Sequence, residues 1–131
     1  MSKHKFTTEF EINASKKMLY PYLYSPSGLA QWFADDVTIN EDKVYNIVWD
    51  GEDNYAKIVS HRTNSFVKFE FIPRKGEEHV ERSYVELKLE MNELTQTVFL
   101  RITDCSENED DEELQDIWES MVNGLKETVG G

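Results

Sequence analysis

The stretch ENEDDEELQDIWESMVNGLKETV, residues 107–129, decides the fold. Its acidic run from Glu107 to Glu113 leads into Leu114, Ile117, Trp118, Met121, Val122, Leu125 and Val129, which recur at steps of three and four. That spacing places them on one helical face roughly 100° wide. A stripe of that size has to lie on something. Residues 37–104 read as strand and turn, so the surface open to a late helix is the face of a sheet. A sheet closed by one long terminal helix can enclose a cavity, which makes pocket binding the leading functional expectation.

Immediately before this helix the strand signal is clearest. Val85, Leu87, Leu89 and Met91 alternate with Tyr84, Glu86, Lys88 and Glu90, and Val98, Leu100 and Ile102 repeat the pattern against Thr97, Phe99, Arg101 and Thr103. Such alternation belongs to an antiparallel sheet with one packed face and one wet face. Strands are expected near 37–40, 44–49, 55–60, 66–72, 80–91 and 95–103, broken by Glu41-Asp42, Asp50-Gly51, Arg62-Thr63-Asn64, Pro73-Arg74-Lys75-Gly76 and Asn92-Glu93. A first strand alternates Phe6, Thr8, Phe10 and Ile12 with Thr7, Glu9 and Glu11. Between it and the sheet, residues 15–34 read as two short helices. Ser25 followed by Pro26 suits an N-cap with proline at the first helical position, and Pro21 either ends the first helix near Tyr20 or opens a following turn.

The 131 residues are expected to form one domain, 1–131, with one core. Hydrophobic residues make up 39% and aromatic residues 12%, too many large apolar side chains for a disordered chain. The formal net charge of −12 opposes the counterion release that drives nucleic-acid binding and repels anionic membranes. No stretch approaches the roughly 20 apolar residues that cross a bilayer, and nothing resembles a signal peptide, so a cytoplasmic location is expected. The single Cys105 has no internal disulfide partner and sits among acids that disfavour a thiolate.

No motif asks for a metal or cofactor. His4, His61 and His79 have no spaced partners for zinc. The phosphate-loop, nucleophile-elbow and dinucleotide motifs are absent. The oxygen-bearing run from Asp104 to Glu112 imitates a calcium loop but has Glu109 where glycine is needed and Gln115 where a bidentate glutamate is needed. Aromatics carry more information. Trp32, Phe33, Tyr45, Trp49, Phe66, Phe69, Phe71, Phe99 and Trp118 fall on segments expected to meet between sheet and helix, and the tyrosine and tryptophan tips offer hydrogen bonds to a ligand in an apolar pocket.

The order strand, short helices, six strands and long helix, together with several local motifs, resembles a known family. Ser25-Pro26-Ser27-Gly28-Leu29-Ala30-Gln31-Trp32-Phe33 is similar to the "dp-x-x-l-x-x-W" segment of the activator of heat-shock-protein-90 ATPase homologue family, within the START-like, polyketide cyclase (SRPBCC) superfamily. Val48-Trp49-Asp50-Gly51, the run from Ile58 to Phe71 and the segment from Trp118 to Lys126 resemble its later landmarks, so the likeness spans about residues 5–129. The resemblance implies an α+β helix-grip fold, a curved antiparallel sheet of six to seven strands around the C-terminal helix. It also implies an internal cavity of the kind that holds lipids, sterols or polyketides in relatives. It supplies no catalytic residue. Asn40-Glu41-Asp42-Lys43 stands where the family often has a glycine pair, which bears on the hairpin at the cavity entrance.

The expected function is therefore non-enzymatic binding of a hydrophobic, lipid-like or aromatic molecule. The expected lining is Trp32, Phe33, Tyr45, Trp49, Phe69, Leu87, Leu100, Trp118, Met121 and Val122, with Arg101 as a polar contact although its alternation points it outward. A protein-interaction or co-chaperone-like module using the acidic run is the alternative. A cyclase or hydrolase is disfavoured because it needs a polar group such as His61, Asp104 or Glu70 inside the cavity, and these are expected outside it or in loops.

Overall fold

A computed structural model of the chain describes residues 3–78 and 80–131, so His79 lies outside the described residues. Strand β1 (His4–Ile12) is followed by three single-turn helices, α1 (Lys16–Leu19), α2 (Pro21–Tyr24) and α3 (Pro26–Leu29). Strands β2 (Asp36–Ile39), β3 (Tyr45–Trp49), β4 (Glu52–Arg62), β5 (Phe66–Phe71), β6 (Tyr84–Asn92) and β7 (Thr97–Ser106) come next, and α4 (Asp111–Val129) ends the chain. The strands form one curved antiparallel sheet in the order β1-β7-β6-β5-β4-β3-β2. Every connection within the run β2 to β7 is a hairpin, and β1 closes the far edge beside β7.

Turn chemistry sets these hairpins. Asp50 and Gly51 both have positive φ, 51° and 78°, the pattern of a two-residue turn whose twist matches its strands. At residues 40–43 the missing glycines are replaced by another device. Asn40 Oδ1 accepts hydrogen bonds from the Asp42 and Val44 amides, and Lys43 takes the left-handed conformation at φ 64°. The register shift between Ile58 and Ser60 is a bulge that bends β4 and turns Val59 to solvent.

Three differences from the sequence expectation bear on the site. α1 ends at Leu19 with Tyr20 as its C-cap, as expected, and Pro21 opens a further turn, α2, at its first position, so the helical segment has three turns and not two. β6 begins at Tyr84, not at residue 80, because Gly76 at φ 91° and the bond from the Val80 amide to the Glu77 carbonyl hold the preceding segment in turns. β7 runs on to Ser106, because Asp104, Cys105 and Ser106 pair with Phe6, Lys5 and His4 of β1. Residues 104–106 are therefore strand, not loop.

Helix α4 is held by both ends. Asp110 is its N-cap, accepting from the Glu113 amide, and Gly130 closes it at φ 78°. Leu114, Trp118, Val122 and Leu125 are buried on the sheet side, whereas Ile117 lies at the edge of that face and is 43% exposed. On the sheet, Phe69, Leu87, Leu100 and Ile102 are fully buried beneath it. Strand alternation sends Phe66 and Phe99 to the opposite face, so they do not join this interior.

The short helices are packed by Gly28. A Cβ there would lie 2.7 Å from the Pro21 carbonyl oxygen and 2.8 Å from the Tyr22 Cα, both backbone atoms that cannot step aside. Gly28→Ala is accordingly expected to destabilise the protein by about 1–3 kcal/mol, the usual cost of overpacking, read as a lower urea midpoint at unchanged slope.

Candidate functional site

The space between sheet and α4 is organised by Phe33, which is fully buried just after α3. Its ring centroid lies 5.5 Å from that of Trp32, 5.3 Å from Trp49, 6.2 Å from Phe69 and 5.8 Å from Trp118. Tyr45 meets Phe69 edge-on at 5.1 Å. Aromatic pairs in such geometries add about 0.5–1.5 kcal/mol each beyond their area burial. The middle of the interior is thus side chain rather than cavity.

Polar tips in this cluster have internal partners. Trp32 Nε1 donates to the Tyr22 carbonyl at 2.9 Å, Trp49 Nε1 to the Phe33 carbonyl at 2.7 Å, and the Tyr45 hydroxyl to the Tyr24 carbonyl at 2.6 Å. Burial pushes the Tyr45 hydroxyl above its ordinary pKa, which keeps it a donor. These bonds satisfy backbone carbonyls of the helical segment, which explains why tryptophan and tyrosine, not phenylalanine, stand at those positions.

Open space lies at one end, between α4 and the ends of β5, β6 and β7. A pocket of about 360 Å³ is lined there by Trp49, Asp50, Phe71, Val85, Asp104, Leu114, Ile117, Trp118 and Met121, with Ser83, Tyr84, Cys105, Ser106 and Asn108 completing its wall. Trp49 and Phe71 stand 6.0 Å apart on its sheet side. A larger groove of about 800 Å³ follows the 72–83 segment, but Arg74, Lys75 and Arg82 alternate there with Asp53, Glu77 and Glu81, the composition of solvated surface.

Of the residues expected to line a cavity, Trp49, Trp118 and Met121 come together at this pocket. Trp32, Phe33, Tyr45, Phe69, Leu87, Leu100 and Val122 are buried in the packed core. Arg101 stands on the outer face, half exposed and 3.7 Å from Glu90, as the alternation of β7 requires. His61 is exposed on β4, and Glu70 pairs outside with Arg82 at 3.0 Å.

Asp104 is the residue whose placement differs most from expectation. It shares the inward parity of Val98, Leu100 and Ile102, and the extension of β7 carries it to the pocket wall. Trp118 Nε1 donates to its Oδ2 at 2.9 Å. Burial raises the Asp104 pKa above the ordinary carboxylate value, an effect that hydrogen bonds from Trp118 and Ser106 and the proximity of His4 only partly offset. Parity counted one residue past the expected strand end was the signal that could have found it.

The remaining candidates have local roles. Burial and neighbouring carboxylates push the Cys105 thiol up, away from a reactive thiolate. Within the acidic run, Asp110 caps α4, Asn108 accepts from the Asp110 amide, Glu107 pairs with Lys3 at 2.9 Å, and Asp111 meets His4 Nε2 at 2.6 Å. Among the described residues no group of three or more His, Cys, Asp or Glu could hold a metal ion, and no helix is long and apolar enough to cross a membrane.

A curved antiparallel sheet gripping a terminal helix is the architecture of the START-like proteins. The family model for the START-like superfamily domain matches residues 1–131, and the chain belongs to that superfamily. It is 37% identical to a Bacteroides fragilis protein of known solution structure, with 98% of this chain and 93% of that one covered and a TM-score of 0.63. The Aha1 dimer from Colwellia psychrerythraea matches in fold at 18% identity, TM-score 0.72, covering 94% of this chain and 93% of that one. A Mesorhizobium loti protein matches at 14% identity, TM-score 0.74, with 97% of each covered. No curated protein matches the chain.

The raised pKa of Asp104 has a stability consequence. Its folded-state pKa exceeds the unfolded value, so between the two the folded state binds more protons, and stability falls as pH rises through that window. Above the window the ionised, desolvated carboxylate weighs against folding. Asp104→Asn keeps an acceptor for Trp118 without the charge. Its melting temperature is expected to exceed the wild-type value at pH 7, with the gap closing as pH falls to the ordinary carboxylate range in a thermal-denaturation series.

Proposed function

We propose that the protein binds a hydrophobic small molecule in the end pocket bounded by α4, Trp49 and Phe71. The single observation that carries this reading is the placement of incompletely buried apolar side chains. Ile117, 43% exposed, and Met121, partly buried, on one shoulder of an otherwise buried helical stripe, line a 360 Å³ space walled by Trp49, Phe71 and Trp118. An apolar concavity with a few polar groups at its margin is the usual form of a small-molecule site. Its size admits a molecule of one or two fused rings or a short acyl chain, smaller than a cavity running the length of the helix would take.

Residues expected from sequence divide accordingly. Trp49, Trp118 and Met121 contact the ligand, Phe33 and Phe69 support those walls from behind, and Leu87, Leu100 and Val122 hold sheet and helix at fixed separation. The reading is non-enzymatic and needs no cofactor. Among the described residues the acidic run pairs with the helix's own first turn, with Lys3 and with His4 of β1, which leaves the co-chaperone-like alternative without an observation of its own.

Titration calorimetry with 2-naphthalenemethanol, an uncharged aromatic of suitable size, tests this. Wild-type protein is expected to bind one equivalent, and Met121→Trp, which sets an indole across the mouth, is expected to weaken binding about tenfold or more, at least ~1.4 kcal/mol. Equal affinity in both proteins, each folded by circular dichroism, or no binding to the wild type, contradicts the proposal.

A further inference from the structure

The pocket's polar content is of one sign. Its lining includes the carboxylates of Asp50 and Asp104 and, among the described residues, no lysine, arginine or histidine. Asp50 sits in the turn at the margin, its amide held by Asp35 Oδ2 at 2.8 Å. Asp104 lies deeper, on the wall formed by β7, with its carboxylate against the Trp118 indole. Aromatic side chains, Trp49, Phe71 and Trp118 with Tyr84 in the wall, complete the same space.

Structural need does not account for a carboxylate at residue 104. An indole N–H requires only a neutral acceptor, and this protein meets the same requirement for Trp32 and Trp49 with backbone carbonyls. A carboxylate in a desolvated position costs stability unless its charge is matched. The groups facing Asp104 match its charge only in part. From α4 comes the uncharged Trp118; from β6, Val85; from β1, Phe6 and, farther along, His4, whose ring is engaged by Asp111. A carboxylate offers about four acceptor positions, of which the Trp118 indole takes one at 2.9 Å, so acceptor capacity remains. A group that breaks a local rule of burial without structural return marks a functional position.

The ligand that answers this arrangement is a cation. An ammonium group donates to the free acceptor positions of Asp104 in a charge-assisted bond, and aromatic faces attract a cation through their quadrupoles. An anionic head group meets two carboxylates and no counter-charge. A metal ion is a poorer match, because the described residues offer no cluster of three or more ligating side chains.

We infer that the end pocket selects hydrophobic amines, with Asp104 receiving the ammonium group and Trp49, Phe71 and Trp118 enclosing the apolar body. This rests on the small-molecule reading of the same pocket and adds the charge class of its ligand. Fatty acids and other anionic amphiphiles are excluded by the same carboxylates that admit the amine. The net charge of −12 works in the same direction, concentrating cations near the molecule.

Three probes that share one ring system test the inference at pH 7: 2-naphthylmethylamine, 2-naphthalenemethanol and 2-naphthoate. Each is titrated calorimetrically into wild-type protein and Asp104→Asn. In the wild type the amine is expected to bind about tenfold tighter than the alcohol, or ~1.4 kcal/mol, with the carboxylate weakest. In Asp104→Asn the amine's advantage over the alcohol is expected to vanish, a pattern that a merely structural Asp104 does not produce. Should amine and alcohol bind the wild type equally, or the carboxylate bind best, the amine inference fails and the pocket reading stands. Should none of the three bind, both fail. If Asp104→Asn does not fold, Asp104→Glu serves: it keeps the charge and is expected to keep the order amine over alcohol over carboxylate, and loss of that order overturns the inference.

Discussion

The rest of the structure depends on the packing of Phe33 against four aromatic rings drawn from different parts of the chain. Trp32 follows the short helices, Trp49 ends β3, Phe69 belongs to β5 and Trp118 to α4. One side chain thereby fixes the helical segment, the sheet and the terminal helix relative to one another. Burying a large apolar side chain of this kind contributes about 1.5–3 kcal/mol, before the aromatic contacts are counted. Because interiors are close-packed, filling the middle of the sheet–helix interface with rings moves any vacant volume to its end. The pocket's position follows from the core's composition.

The same cluster shows how polar atoms are managed in an apolar interior. Trp32, Trp49 and Tyr45 each donate to a main-chain carbonyl of residues 22–33, so the side chains that fill the core also satisfy the segment that caps it. Trp118 alone of the three tryptophans donates to a carboxylate. That exception lies where the pocket is, and the proposed preference for amines rests on it.

Fold class was legible because it rests on periodicity. The alternation of Tyr84 to Met91 and Thr97 to Thr103, and the stripe of α4, are signals summed over many residues, and they were read with correct faces. The third helical turn was not separable, because a proline that follows the end of α1 leaves open whether it also starts a new turn, and packing around Gly28 decides. At the site, the aromatic residues were recognisable as a group, but whether rings leave a void or close it depends on volumes and angles that a sequence does not encode. Trp49, Trp118 and Met121 thus reach the pocket, while Phe33, Phe69 and Leu100 end in solid core. Asp104, named in the sequence only as a polar group expected outside the cavity or in a loop, reaches the pocket wall because its strand continues past Thr103 through the pairing with Phe6 of β1.

A central claim follows, that ligand space lies at the end of the grip and not along its middle. The three indole N–H signals in a proton–nitrogen correlation spectrum report on it directly, since Trp32 sits deep beside the short helices whereas Trp49 and Trp118 wall the pocket. On titration with 2-naphthalenemethanol, the Trp49 and Trp118 indole signals are expected to shift while the Trp32 signal stays in place. A shift of all three together, or of Trp32 alone, contradicts the account and places the ligand inside the core.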